Sequence, residues 1–576
     1  MSSSSKKKLR KEQAAANMTE KQLAAQKEEK QLKVYTASFW IVLVLCVCLV
    51  AGMALKGPVI GMTRMITTAA TVNDLKLSAV ELNYFYIDAI NNYCNQYSSY
   101  LSYFLDTSKP IGEQFYDEEG KITWADEFLD MALESAKNNY ALYNAAKAAG
   151  HTLTEEEQES TKELFSQLKT AAKSYGYNTS SGYLKALYGK GASLSSYKAY
   201  YEVTALASSY YQAYTKQLSD AIDNDALRDY EADKMYEFNS YTYASYYMNV
   251  DSFKEGGTKD DKGNVTYSDE EIKAAEAAVK AAAEALAVPE NNTLEALNAA
   301  IAASTTTADA ATKDEATKDE ATKDEAKKAA TATENKDVKY SGVNSSVQEW
   351  IRDDARKEGD IAALPYTTTS TVDGKEVETL KGYYVVLFQS VNDNVYALKD
   401  VRHILVGYEG GTTDENGSKT YSDAEKNAAK EKAEAILKDW EAGAKTEDSF
   451  AELAKEKTTD TPSKENGGLY EAVYPGQMVA PFEDWCYDET RKEGDTGIVQ
   501  SDYGYHVMYF SGDNETTYRD YMVKNALLEE QTTEWQEALN EATVVTALNT
   551  KHIDRDMVLG GGNETGAEED HEGHDH

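Results

Sequence analysis

The chain has 576 residues, with 59 Lys and Arg against 98 Asp and Glu, a formal net charge of −39. That length exceeds what one core can organise and implies three to four domains of roughly 150 residues each. The acidity excludes a nucleic-acid binder, because neutralising phosphates takes clustered Lys and Arg. Four cysteines exclude a disulfide-built scaffold. Cys46 and Cys48 fall inside an apolar run, which leaves Cys94 and Cys486 for at most one bridge.

Residues 1–33 are a basic tail, and 34–55 (VYTASFWIVLVLCVCLVAGMAL) carry no formal charge between Lys33 and Lys56. At helical rise this run spans about 33 Å, enough for a bilayer core, and the Lys/Arg excess before it keeps the N-terminus cytoplasmic. The expected arrangement is a retained single-pass anchor with the bulk of the chain extracytoplasmic. The run is too long for a cleaved signal, and neither cysteine follows the small residue of a lipoprotein signal.

Residues 56–236 read as a helical chaperone module, helical throughout from about residue 70. Leu129, Ala132, Leu133 and Ala136 mark one helix face, and Thr154 with Glu157 forms a capping box just after Gly150. Tyrosine dominates here: 25 of the 42 in the chain fall between Tyr84 and Tyr247. Such rings either build a helical core in place of Phe or line a surface that grips unfolded chain.

An internal repeat organises residues 237–512. Gly256–Asp269 (GGTKDDKGNVTYSD) matches Gly410–Asp423 (GGTTDENGSKTYSD) without a gap. Trp350 through Asp360 matches Trp485 through Asp495, and Gly382-Tyr383-Tyr384-Val385 matches Gly504-Tyr505-His506-Val507. Copy one (237–396) contains a low-complexity insert over 304–336 built on ATKDE repeats, which has no apolar residue larger than Ala at helical spacing and reads as a solvated linker. Copy two occupies 397–512.

Copy two carries VRHILVGY (Val401–Tyr408), an amphipathic helix, FAELAKEKTTDTPSKENGGL (Phe450–Leu469), PGQMVAPFEDW (Pro475–Trp485) and SDYGYHVMYF (Ser501–Phe510). In that order these resemble the parvulin family of peptidyl-prolyl isomerases. The whole chain looks like the bacterial extracytoplasmic foldases that join a helical chaperone module to parvulin domains. The resemblance implies an α+β chain with two parvulin (FKBP-like) domains, each a small antiparallel sheet flanked by helices. It also implies rotation of Xaa-Pro bonds without metal or cofactor. His403 and His506 match the paired central histidines of the family, and Asp460 stands where it has an acid or a cysteine, giving the expected catalytic set. Met478 and Phe482 match its proline pocket, with Leu469 as an apolar wall and Thr461 and Tyr503 as further substrate contacts. The family reads Gly-Gly-Asp-Leu-Gly where this chain has Gly467-Gly468-Leu469-Tyr470, one residue shorter. In copy one Tyr247 is expected opposite His403 and Tyr384 opposite His506, so that copy is a degenerate parvulin domain kept for binding or spacing.

Residues 513–554 read as a C-terminal helix that returns to the N-terminal module, and 555–576 as an acidic, His-ending tail able to hold Zn²⁺ or Ni²⁺ only weakly. Expected partners are unfolded or partly folded exported polypeptides containing Xaa-Pro, and a lipid bilayer; the sequence leaves oligomeric state open. A non-catalytic holdase using its parvulin copies as scaffolding is the alternative reading, and a surface structural protein a third.

Overall fold

The computed structural model describes residues 58–559 apart from 118, 261, 312–329, 373–374 and 415–416. The basic tail, the 34–55 run, residues 312–329 of the insert and 560–576 of the acidic tail therefore lie outside the described residues. The expected linker 304–336 is narrower than its composition implies, because a helix runs to Ala311 and a strand begins at Thr333, and the expected tail starts later than 555, because Met557 is buried. No helix among the described residues is long and apolar enough to cross a membrane.

The first module comprises α1 (Pro58–Ile66), β1 (Thr68–Val72), β2 (Leu75–Ser78), α2 (Ala79–Gln96), α3 (Trp124–Ala148), α4 (Glu155–Ser174), α5 (Ser180–Tyr188), α6 (Leu194–Ala221) and α7 (Asn224–Glu231). Capping boxes set the starts of four of these helices, at Ser78–Glu81, Thr123–Asp126, Thr154–Glu157 and Ser193–Ser196. Tyrosine lies both in the core and on the surface of this module. Tyr84, Tyr86 and Tyr183 are fully buried, whereas Tyr100, Tyr103, Phe104, Phe115 and Tyr116 are exposed. The expectation of helix throughout fails at β1 and β2, which form an antiparallel pair across an Asn73-Asp74 turn with Asn73 at φ 50°. Their third strand, β11 (Val545–Ala547), arrives from the far end of the chain, order β11-β1-β2.

The two repeat copies have the same strand order. In copy one it is β4-β3-β6-β5, with β3 (Ser240–Asn249), β4 (Thr333–Lys339), β5 (Ile361–Val372) and β6 (Lys375–Asn392). In copy two it is β8-β7-β10-β9, with β7 (Ala397–Gly407), β8 (Leu469–Val473), β9 (Thr496–Ser501) and β10 (Gly504–Thr517). All pairings in both sheets are antiparallel. Each GG…YSD segment makes the same device: a short ladder, then a helix whose capping glutamate also takes the N–H of the second glycine. In copy one Glu271 holds Gly257 and starts α8 (Asp269–Leu286), which precedes α9 (Leu294–Ala311). The same role in copy two falls to Glu425, which holds Gly411 and starts α11 (Asp423–Ala442). The Trp/Arg repeat is a stacked pair, Arg356 on Trp350 and Arg491 on Trp485, each at 4.0 Å. These pairs close α10 (Ser345–Ile351) and its counterpart α14 (Ala480–Cys486).

Between α11 and β8 run α12 (Glu447–Lys457) and α13 (Thr461–Lys464). One face of the copy-two sheet packs Ile404, Val406 and Val507 on Ala433 and Phe450; the other packs Val401, Met508 and Phe510 on Phe482 and Cys486 of α14.

The C-terminal helix α15 (Tyr518–Glu541) stops earlier than the expected 554, because the β-branched run Thr543 to Thr546 favours the extended chain that becomes β11. Its first turn buries Arg519 against Glu231 at 2.7 Å and the carbonyls of Met235 and Asp393. Farther along, Trp535 stacks on Tyr214 at 4.1 Å.

Candidate active site

Strand parity builds the site. On β7, Val401 and His403 share one face, and on β10 so do His506, Met508 and Phe510. The register pairs His403 with Met508 and His506 with Leu405, so the two histidines are diagonal neighbours on the α14 side. Their rings lie 5.2 Å apart at 19°, with Nδ1 to Nδ1 at 3.0 Å. Both are buried.

His403 Nε2 lies 3.0 Å from Asp460 Oδ2. Asp460 is the N-cap of α13, and its Oδ2 also accepts from the hydroxyls of Ser463 and, at 3.0 Å, Tyr470. Burial alone would raise this carboxyl, but the donors His403, Ser463 and Tyr470 outweigh it and hold its pKa at about 2. An ionised carboxylate only accepts, so His403 Nε2 carries the proton. With both rings neutral, His506 Nδ1–H donates to His403 Nδ1, and His506 Nε2 accepts from Ser501 Oγ at 2.7 Å. Ser501 Oγ in turn accepts the backbone N–H of Tyr503 at 3.2 Å. One chain of hydrogen bonds thus runs from the β9–β10 turn to Asp460. Phe482 seals it edge-on, 5.4 Å from the His403 ring and 5.5 Å from the His506 ring.

The structure thus brings together His403, His506, Asp460 and Phe482, with half-buried Met478 packed against the Phe482 cluster. Leu469 is a correction. It pairs with Arg402, which puts it on the sheet face opposite His403; Tyr470 pairs with Val401 and takes the wall position, its ring 5.3 Å from His403. The shortened Gly-Gly turn supplies the reason, since one residue less inverts the parity of the strand after it. Thr461 is exposed in the first turn of α13, and Tyr503 is 65% exposed at the rim, reaching the network only through its backbone N–H.

Sequence reading missed Ser463, Tyr470 and Ser501. Ser463 is three residues past Asp460, at capping distance, and Ser501 lies across a two-residue hairpin turn from Gly504, so both had a local signal. Arg402 was missed too. It ties the glycine turn to β7 through the carbonyls of Asn466 and Gly467, at 2.9 and 3.1 Å, and pairs with Glu447.

Copy one differs at the same place. Tyr384 pairs with Tyr247 as His506 pairs with Leu405, so the counterpart of His403 is Ser245, two residues before Tyr247. Ser245 Oγ meets Asn335 Nδ2 at 3.1 Å, and Tyr384 packs with Tyr247 and Tyr366. No imidazole or carboxylate stands in these positions.

Burial, and then the neighbouring His403, push the His506 pKa down from 6.5 to about 4. The unfolded chain therefore takes up this proton first as pH falls. Its contribution to stability is complete above about pH 6.5 and is lost on the way down to about pH 4, worth on the order of 3 kcal/mol. Urea unfolding at pH 7.5 and 4.5 is expected to show this loss in the parent and a smaller one in His506→Phe; equal losses would contradict the assignment.

Residues 403–512 match the family model "Rotamase: PPIC-type PPIASE domain". The chain is 43% identical over 75 residues to "Foldase protein PrsA 1" of Listeria innocua, covering 13% of this chain and 26% of the relative. It is 31% identical over 195 residues to "Foldase protein PrsA" of Staphylococcus epidermidis, covering 32% and 56%. Among solved structures, a peptidylprolyl isomerase (PrsA) from Bacillus anthracis is 28% identical, covering 26% of this chain and 59% of that one, with a TM-score of 0.16. The matches span about a quarter of the Listeria relative and about half of the Staphylococcus one.

Proposed function

We propose that this chain, whose residues 403–512 form a PPIC-type peptidyl-prolyl isomerase domain, is a membrane-anchored foldase that rotates Xaa-Pro bonds in exported polypeptides. The observation that carries the reading is the closed hydrogen-bond chain from Ser501 through His506 and His403 to Asp460, capped by Phe482.

The barrier to rotation is amide resonance, about 18–20 kcal/mol, and the planar ground state is charge-separated. Water stabilises that state by donating to the carbonyl oxygen. Here the donors of Ser463, Tyr470, His403, His506 and Ser501 are already committed inside the protein. A prolyl ring seated against half-buried Met478, with buried Phe482 as the floor of the seat, would bring its carbonyl over a network with no proton left to give. The planar amide loses solvation while the twisted one, whose oxygen is less negative, loses little. No nucleophile is required, and Asp460 acts by keeping the imidazoles oriented.

The double variant Met478→Ala/Phe482→Ala is expected to lower kcat/KM on Xaa-Pro peptides about 10²-fold, as proline positioning is lost. A parent-like value would refute the pocket. Asp460→Ala is expected to lower kcat more than it raises KM, because it frees donors beneath the carbonyl without touching the proline seat. A change confined to KM would refute the orienting role.

Chaperone activity is the second half of the reading, favoured by the exposed rings of Tyr100, Tyr103, Phe104, Phe115 and Tyr116 on the first module. Suppression of aggregation of a proline-free client should survive the Met478→Ala/Phe482→Ala change. Its loss together with isomerase activity would place client binding in the parvulin groove alone.

A further inference from the structure

Helix α1 is amphipathic in the reverse sense. Met62, Met65 and Ile66, at i, i+3 and i+4, are 70%, 56% and 75% exposed, while the one charged residue of the helix, Arg64, is 2% exposed. The rotation of the helix is fixed from inside. Gly61 lies against Gly191, where an added Cβ would come within 3.2 Å of its backbone nitrogen. Arg64 is paired with Asp554 at 3.1 Å. With Gly61 and Arg64 facing inward, Met62 and Ile66 point away from the core, and Met65 lies on the flank between, still 56% exposed.

What covers that face is indicated by where the helix sits in the chain. Met62 is seven residues past Leu55, the last residue of the uncharged 34–55 run. Even a fully extended connection of that length reaches at most about 25 Å. The face is therefore held next to whatever surface the run emerges from. Charge cannot hold the module there, because the chain carries −39 and anionic headgroups repel it. Apolar insertion is unaffected by that repulsion.

We propose that α1 is an interfacial helix, with Met62, Met65 and Ile66 inserted among the lipid headgroups and upper acyl chains of the bilayer. The proposal rests on the reading of residues 34–55 as the anchor. Its consequence is orientation: the first module is seated on the membrane by a second attachment, and Arg64–Asp554 links that seat to the C-terminal end of the chain.

The test uses the full chain in phosphatidylcholine/phosphatidylglycerol nanodiscs, with the photo-crosslinker p-benzoylphenylalanine replacing Leu43, Met65 or Met235 in separate samples. Met235 is 58% exposed and serves as the remote control. Lipid adducts are expected at position 43 and at position 65, the latter several-fold above position 235. Adducts at 43 with position 65 no higher than 235 would overturn the interfacial helix and leave the anchor standing. Absence of adducts at 43 would overturn the anchor and the proposal with it. Adducts at 65 to a second copy of the chain or to a client polypeptide in place of lipid would overturn it as well. In the Met62→Glu/Met65→Glu variant, p-benzoylphenylalanine replacing Ile66 should lose its lipid adducts while position 43 keeps them; retention at 66 would count against the proposal.

Discussion

Replacing Gly468 by alanine is expected to destroy the proposed isomerase site and to destabilise copy two by more than about 3 kcal/mol. Gly468 has φ +73°, and a Cβ there would sit 2.2 Å from the carbonyl oxygen of His403. The clash falls on the strand that carries a central histidine, at the point where His403 N–H bonds to the Gly468 carbonyl at 2.8 Å. Left-handed backbone alone costs a non-glycine residue about 1–2 kcal/mol. Relieving the overlap must in addition part β7 from the glycine turn. A displacement of about 1 Å at His403 would be enough for about a 10²-fold loss of kcat/KM. Gly417→Ala is the control, since Gly417 has φ +83° with nothing within 4 Å of the added Cβ. It should cost only the backbone strain and leave catalysis as it was. Peptide isomerisation kinetics and urea unfolding of both variants decide the matter. Similar losses in the two would show that strain and not the clash is at work.

Removing residues 542–576 is expected to unfold the first module while copy two keeps the isomerase activity proposed for it. Those residues supply β11 to the β1 edge, and Ile553 and Met557, 5% and 4% exposed, to the module's core. They also supply Asp554, which pairs with buried Arg64 and exchanges hydrogen bonds with Asn83. Stripping the partner from a buried charge costs about 3–5 kcal/mol. Two lost core side chains add roughly 1.5–3 kcal/mol each. The sum is comparable to the whole stability of a domain, about 5–15 kcal/mol. Limited proteolysis should then cut within residues 68–221 of the truncated chain and spare 397–512. Asp554→Ala should lie between the two, with a lowered melting temperature. A truncated chain as resistant as the parent would show that the first module is complete without its returning strand.

Much of copy two was legible because its signals are local. The GG…YSD segment and the Trp/Arg spacing each act within about fifteen residues, and a repeat shows them twice. His403, His506 and Phe482 were findable for the same reason, through the motifs around them. Leu469 was misplaced because the face a strand residue presents depends on register, and one missing residue in the turn inverts it. Tyr247 was matched to His403 for a related reason: the copies differ in the spacing from their first strand to the repeat, and only the pairing of Tyr384 with Tyr247 identifies Ser245 as the counterpart.

By itself, the sequence determined the acidic character, the repeated segments, the helix start at Thr154 and the chemistry available to the candidate site, since each follows from composition or from neighbours along the chain. The tertiary structure alone decided that Tyr470 replaces Leu469, that His506, His403 and Asp460 join in one hydrogen-bond chain, and that β11, Ile553 and Asp554 finish a module begun at the opposite end of the chain. Those outcomes depend on which strands pair and in what register, and that choice is made by burial and hydrogen bonding between segments far apart in sequence, where local periodicity carries no information.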